Sequence, residues 1–280
     1  MVRIITDSAA DFEPQELQRL QVSCIPLSVI FGDREYRENI DLNKEQFYQL
    51  LSQADKLPTT AQPSPQMVLE LFEEAKETGE EAVYITISSA ISGTYQSACM
   101  ARNMAEYDGC YVVDSRSATA GQRLLVEEAV RLRDQGLGAA EIAQQLEQLR
   151  SRVTIFACLD TLENLYRGGR ISQTSYAIGN LAQIKPIIHL DAEGKVTVPA
   201  KAMGTRKGLD MLCKKLEQIP MDPDYPLYTV YTSHRADGEA FAQRLLELGH
   251  PASSEQVVRV GAAIGTHVGN HTVGIVYIRK

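Results

Sequence analysis

The stretch Val83-Tyr84-Ile85-Thr86-Ile87-Ser88-Ser89-Ala90-Ile91-Ser92-Gly93-Thr94-Tyr95 passes from an apolar run through a group of hydroxyls into a helical stretch. Val83 to Ser88 reads as a strand buried on both faces. Ser88 to Tyr95 adds hydroxyls and a glycine that lets backbone come close. The pattern recurs on either side of it. Val2 to Thr6 is a strand run ending in Asp7-Ser8, and Tyr111 to Asp114 is a third, followed by Ser115-Arg116-Ser117. Helical periods separate them. Met67, Val68, Leu71, Phe72 and Ala75 share one face of a helix over Met67 to Lys76, and Leu124 to Leu132 and Ala139 to Leu149 read likewise. Strands alternating with helices predict a parallel sheet covered on both sides.

After Arg152 the pattern changes. Thr154 to Leu159 is a strand run. Lys185 to Leu190 and Lys195 to Ala200 flank Asp191-Ala192-Glu193-Gly194, a β-hairpin turn by its residue types. A helix follows with Leu209, Leu212, Leu216 and Ile219 on one face. Next come a strand over Tyr228 to Ser233, a helix over Gly238 to Leu248, a strand over Gln256 to Arg259 and a last strand over Thr272 to Ile278. A hairpin inside an α/β pattern predicts a mixed sheet. The expected organisation is two α/β domains, residues 1–155 and 156–280.

A chain of 280 residues is long enough for two domains. Its 44% apolar and 23% charged residues predict a folded chain, not a disordered one. The net charge is −8 and no basic run exceeds two residues, as at Lys214-Lys215. Nucleic acid and anionic membrane are therefore not the expected partners. No run of about 18 apolar residues occurs, and the N-terminus lacks the apolar core of a signal peptide. A cytoplasmic location is expected. Cys24, Cys99, Cys110, Cys158 and Cys213 form no CxxC pair, so reduced, mostly buried thiols and no metal site are expected.

Parallel sheets bind ligands beyond the carboxyl ends of their strands. Three strand runs end there in polar clusters, and Thr59 to Pro65 supplies a fourth. Taken singly, each reads first as a set of helix caps. Four on one edge favour a site for a small anionic ligand. No GxxxxGK[ST] loop and no GxGxxG after the first strand are present, which disfavours nucleotides. Ser92 lacks GxSxG spacing. An acyl hydrolase or acyltransferase using Ser92 and His267 stays open, although no carboxylate stands out to orient the histidine. Arg167-Gly168-Gly169-Arg170 is either a turn presenting arginine to an anion or an ordinary basic turn. Gly261 to Gly269 reads as a glycine-rich loop carrying His267, in a structural or a functional role.

In this order, Thr6-Asp7-Ser8, Thr60 to Pro65, Ser88-Ser89 with Ser92 to Ala98, Asp114-Ser115, Arg167 to Ser172, Lys185-Pro186-Ile187 and Gly265-Thr266-His267 resemble the DegV family over nearly the whole chain. The resemblance implies a three-layer α/β/α domain and a smaller two-layer mixed α/β domain. It implies a bacterial protein that is not itself an enzyme and that carries a long-chain fatty acid within and between the domains. A separate fatty acid kinase subunit, the ATP-binding partner, would phosphorylate the carboxylate and so feed phospholipid synthesis. A lipid sensor is the remaining alternative. Carried onto this chain, Thr60 and Ser92 match the hydroxyls that hold the carboxylate, and His267 matches the histidine beside it. Asp7, Ser8, Gly93 and Thr94 are supporting residues. Arg170 lies near the mouth, toward the kinase. No cofactor is expected beyond the lipid. The family's Thr-Ser-Gln-Pro-Ser reads Thr60-Ala61-Gln62-Pro63-Ser64 here, and Asn270-His271 stands where Pro and Gly are usual. The tail slot is expected among Ile178, Leu181 and Ile184. The head group is expected to be held by neutral hydroxyls, without an arginine clamp.

Overall fold

Strand β1 (Val2–Asp7) turns Ile4 toward one layer of helices and Ile5 toward the other, so both its faces are buried. The computed structural model that places it describes residues 2–179 and 183–280, the side chains of 178 and 179 excepted. Helix α1 (Pro14–Leu20) opens with a proline and a Glu13–Glu16 capping box. It leads to β2 (Val22–Ile25), parallel to β1. β3 (Ser28–Phe31), β4 (Arg34–Arg37) and, beyond α2 (Lys44–Gln53), β5 (Thr59–Ala61) form a small antiparallel sheet of order β4-β3-β5. α3 (Pro65–Thr78), β6 (Glu81–Thr86), α4 (Thr94–Ala105) and β7 (Cys110–Asp114) complete the parallel sheet, whose order is β2-β1-β6-β7. The winding reverses between β1 and β6, so their carboxyl ends flank a topological switch point.

α3 and α4 pack Val68, Phe72, Ala98 and Ala101 on one face of this sheet. α5 (Ala120–Asp134) and α6 (Ala139–Leu149) cover the other. The chain continues through β8 (Val153–Cys158), α7 (Glu163–Arg167), α8 (Gln173–Gly179), β9 (Ile184–Leu190), β10 (Val196–Met203), α9 (Thr205–Gln218), β11 (Tyr228–Tyr231), α10 (Arg235–Glu247), β12 (Val257–Arg259), α11 (Ala262–Val268) and β13 (Val273–Ile278). These strands build a mixed sheet of order β10-β9-β8-β13-β11-β12, antiparallel except for β11 with β12. One face packs Phe156, Ile187 and Tyr277 against Leu212 of α9 and Phe241 of α10. The other turns Ile155, Val230 and Val276 toward α5. Helix α5 is thus enclosed between the two sheets. Its buried Gln122 donates to Thr6 Oγ1 at 3.0 Å, and its Arg123 pairs with Glu16 and Glu127, as buried polar groups require.

The α/β class, the parallel sheet, the mixed sheet and the 191–194 hairpin turn are as the sequence predicts. Three features differ. The division expected at 155/156 falls inside β8, which pairs with β13 along its whole length from Val153 to Cys158. The β3–β4–β5 sheet was not expected, because its strands are only three or four residues long and β4 is largely exposed. The expected glycine-rich loop around His267 is instead helix α11. Gly265 serves packing there, since a Cβ would lie 2.7 Å from both Phe47 and Tyr48 of α2.

Candidate functional site

A largely apolar cavity lies where the carboxyl ends of the parallel strands, the β3–β4–β5 sheet and the α5-facing side of the mixed sheet meet. Ile155 and Ala157 of β8, Ile188 and Leu190 of β9, Val196 of β10 and Val230 of β11 wall it. The space open to the centre of a water molecule is about 160 Å³. One water needs roughly 10–15 Å³ on that measure, so the cavity fits a multi-atom ligand.

Its polar groups form one contiguous cluster. Thr60 ends up opposite α11, with its Oγ1 2.9 Å from His267 Nε2. Gln62, two residues on and just past β5, lies against Gly93, where a Cβ would come within 1.7 Å of Gln62 Oε1. Arg170 Nε donates to the carbonyl of Ile91 at 3.1 Å, next to Ser92. Ser92 Oγ is 2.8 Å from Thr94 Oγ1. Thr60, Gln62, Ser92, Gly93, Arg170 and His267 all line the cavity. Thr60, Arg170 and His267 also line an adjoining pocket whose walls include the exposed Lys56 and Arg167.

The electrostatics of this cluster favour an anion. Burial, with a smaller contribution from the charge of Arg170, pushes the His267 imidazole down to about 4, so it is neutral at pH 7. Its Nδ1 is buried and has no hydrogen-bond partner among the described residues. Burial also lowers the Arg170 pKa. That guanidinium donates to two carbonyls, Ile91 and Gly168, and pairs with no carboxylate among the described residues. A half-buried cation without a counter-ion, beside a hydroxyl and a neutral imidazole, is arranged to receive a negative oxygen.

Both glycines of the 168–169 pair serve this arrangement, for different reasons. A Cβ on Gly168 would lie 2.3 Å from His267 Nδ1, so this glycine leaves room for the ring. Gly169 has φ +73° with nothing near it, so this one permits the turn.

The remaining expected residues stand behind the cavity. Asp7 is fully buried and accepts N–H bonds from Ala9 at 3.1 Å and Ile87 at 2.9 Å. Burial pushes its carboxyl up to about 6 against those bonds. Ser8 donates to Glu38 Oε2 at 2.7 Å and accepts from Leu27 N at 2.9 Å. Neither residue lines the cavity or reaches the surface. Thr94 is buried and starts α4. Ser88 and Ser115 bond backbone carbonyls, of Gly194 and Ser117 respectively. Asp114 holds Ser89 and the N–H of Arg116. Arg170, expected at the mouth, lines the cavity itself.

Of the expected tail slot, Leu181 and the side chain of Ile178 lie outside the described residues, and Ile184 is not among the described residues lining the cavity. Ser92 and His267 do not form a nucleophile–base pair. His267 Nε2 bonds Thr60, and among the described residues no carboxylate orients its Nδ1. Sequence reasoning missed Thr119, which lines the cavity with φ +49°, a strained value for a β-branched residue. It also assigned no role to Gln62, although the residue lies inside the Thr60 to Pro65 motif.

Fold and site together define an α/β protein with a largely apolar cavity whose polar lining includes Thr60, Gln62, Ser92, Arg170 and His267. The chain belongs to the DegV family. The sequence model of that family, described as "Uncharacterised protein, DegV family", matches residues 1–280. Protein DegV of Bacillus subtilis is 32% identical over 283 residues, covering 100% of this chain and 99% of the relative. A stearic acid-binding protein from Eubacterium ventriosum superposes with a TM-score of 0.90 at 28% identity, over 100% of this chain and 99% of the other. A DegV family protein from Thermus thermophilus, described by its fatty acid binding, gives 0.90 at 29% identity with the same coverage.

Proposed function

We propose that this chain binds a long-chain fatty acid and presents its carboxylate to a separate, ATP-binding fatty acid kinase subunit. The observation that carries the reading is Arg170. It is a cation without an acidic partner among the described residues, set beside His267, Thr60 and Ser92 where an apolar cavity ends. The similar proteins from Eubacterium ventriosum and Thermus thermophilus support the ligand class.

The energetics agree. Each buried methylene contributes about 0.8 kcal/mol, so the tail supplies the affinity and the head group needs only orientation. Arg170 supplies charge, and the hydroxyls of Thr60 and Ser92 supply direction. Presentation to a kinase is supported by the adjoining pocket. It reaches Thr60, Arg170 and His267 from a side bearing Lys56 and Arg167, cations suited to a phosphoryl group.

The test loads the purified protein with palmitate and adds ATP with the kinase subunit of its own genome. Acyl phosphate is trapped as the hydroxamate. The wild type and Cys99→Ala should yield hydroxamate, and Ser92→Ala should yield at least tenfold less. Equal yields from both variants, or none from loaded wild type, would overturn the reading.

A further inference from the structure

Ser8, at the end of β1, belongs to a buried network outside the cavity that holds the helix carrying His267. Asp11 and Glu38 are 1% and 2% exposed. Asp11 Oδ1 accepts the N–H of Gly261 at 2.8 Å. Glu38 Oε1 accepts the N–H groups of Ala262 and, at 3.3 Å, Ala263. The other Glu38 oxygen accepts from Ser8 Oγ at 2.7 Å. Lys44 Nζ, the nearby cation, donates to the Asp11 carbonyl at 2.8 Å. Three successive N–H groups at the start of α11 are thus held by two buried carboxylates. One side-chain cap serves a helix of this length, and burying a carboxylate is costly. Two of them fix the helix start far more tightly than capping requires. Five residues on from Ala262, the same short helix places His267 Nε2 at 2.9 Å from Thr60 Oγ1.

We propose that Asp11 and Glu38 are positioning residues for the head group: by clamping the start of α11 they set His267 against Thr60, the pair that receives the carboxylate. This deepens the fatty-acid reading and rests on it. The two acids touch no ligand and act only through α11. Gly261 belongs to the same device, since a Cβ there would lie 2.2 Å from Glu38 Oε1 and 2.7 Å from Asp11 Oδ1, while its φ of −77° suits any residue.

The experiment separates head group from tail. Palmitate and 1-hexadecanol are each titrated into wild type, Glu38→Ala, Glu38→Gln and Gly261→Ala by competition against a bound fluorescent fatty acid. Glu38→Ala and Gly261→Ala should bind palmitate about tenfold more weakly and hexadecanol within twofold of wild type. Glu38→Gln, which keeps an acceptor for the helix, should restore palmitate binding. Equal losses for both ligands would reduce the pair to a general structural role, and no loss for either would also refute the proposal. If Glu38→Ala fails to fold, Gly261→Ala decides, because it removes no polar group. Wild type that binds hexadecanol but not palmitate would sink the fatty-acid reading itself, a different outcome from either.

Discussion

Two sets of polar residues occupy the ends of the strands, and their types are nearly the same. Asp7, Ser8, Ser88, Asp114 and Ser115 form one set; Thr60 and Ser92, joined by Arg170 and His267, form the other. The first set is closed on itself. Asp7 holds the N–H groups of Ala9 and Ile87, Ser88 holds the Gly194 carbonyl at the hairpin tip, and Asp114 holds Ser89 and Arg116. The second set is left open. His267 Nδ1 has no partner, and Arg170 has no carboxylate among the described residues. Residue type at a strand end therefore does not separate scaffold from site. At these strand ends the completeness of hydrogen bonding does: the first set is satisfied within the fold, and the second keeps His267 Nδ1 and the Arg170 charge open among the described residues.

The largest effect should come from the closed set. Asp7→Ala leaves two buried N–H groups without acceptors and should lower stability by about 2–4 kcal/mol in urea unfolding. A loss below about 0.5 kcal/mol would break the comparison. Arg170→Leu should do the reverse. It removes an uncompensated half-buried charge, so stability should hold or rise, while palmitate affinity falls roughly thirtyfold, or about 2 kcal/mol, by calorimetry. A stability loss as large as that of Asp7→Ala would place Arg170 in the scaffold.

The glycine pair sharpens the contrast within one turn. Gly168→Ala should displace the His267 ring and weaken palmitate about tenfold, near 1.4 kcal/mol. Gly169→Ala should cost about 1 kcal/mol of stability through its φ of +73° and leave affinity unchanged. Reversed outcomes would show that the geometry around His267 is misread.

A further effect concerns pH. Burial, reinforced by the neighbouring acid charge of Asp11, raises Glu38 to about 7, and burial raises Asp11 to about 6, against the opposing pull of Lys44. A carboxyl whose folded pKa is raised holds its proton longer in the folded than in the unfolded state. Stability from it is full below the ordinary carboxyl range and is lost as pH rises to about 7. His267, lowered to about 4, acts oppositely, with stability lost as pH falls from 6.5. Glu38→Gln should therefore gain stability relative to wild type as pH rises from 4.5 to 7 and show no further change above. A constant difference across that range would contradict the assignment.

Much of the scaffold was legible in the sequence because its strands and helices are long and periodic. Ala139–Leu149 appears with the predicted bounds, and the strand runs at Val2, Val83 and Tyr111 lie side by side as expected. What escaped lacks a periodic signal. β3 and β4 are four residues each, and Arg34-Glu35-Tyr36-Arg37 carries no apolar alternation. Helix α11 was hidden by its glycines, of which Gly265 serves close packing against Phe47 and Tyr48 and Gly261 against Glu38 and Asp11. At the site, motif residues identified Thr60, Ser92 and His267 as candidates. Nothing local revealed that Arg170 turns inward, because its placement depends on the carbonyl of Ile91, 79 residues away. The strained backbone of Thr119 leaves no trace in sequence either.

The most direct measurement is mass spectrometry of the organic extract from freshly purified wild-type protein, quantified per chain. A free long-chain fatty acid at close to one molecule per chain, sharply reduced in Arg170→Leu, is the predicted result. A wild-type extract without fatty acid, or with a stoichiometric ligand lacking a free carboxylate, would contradict the account.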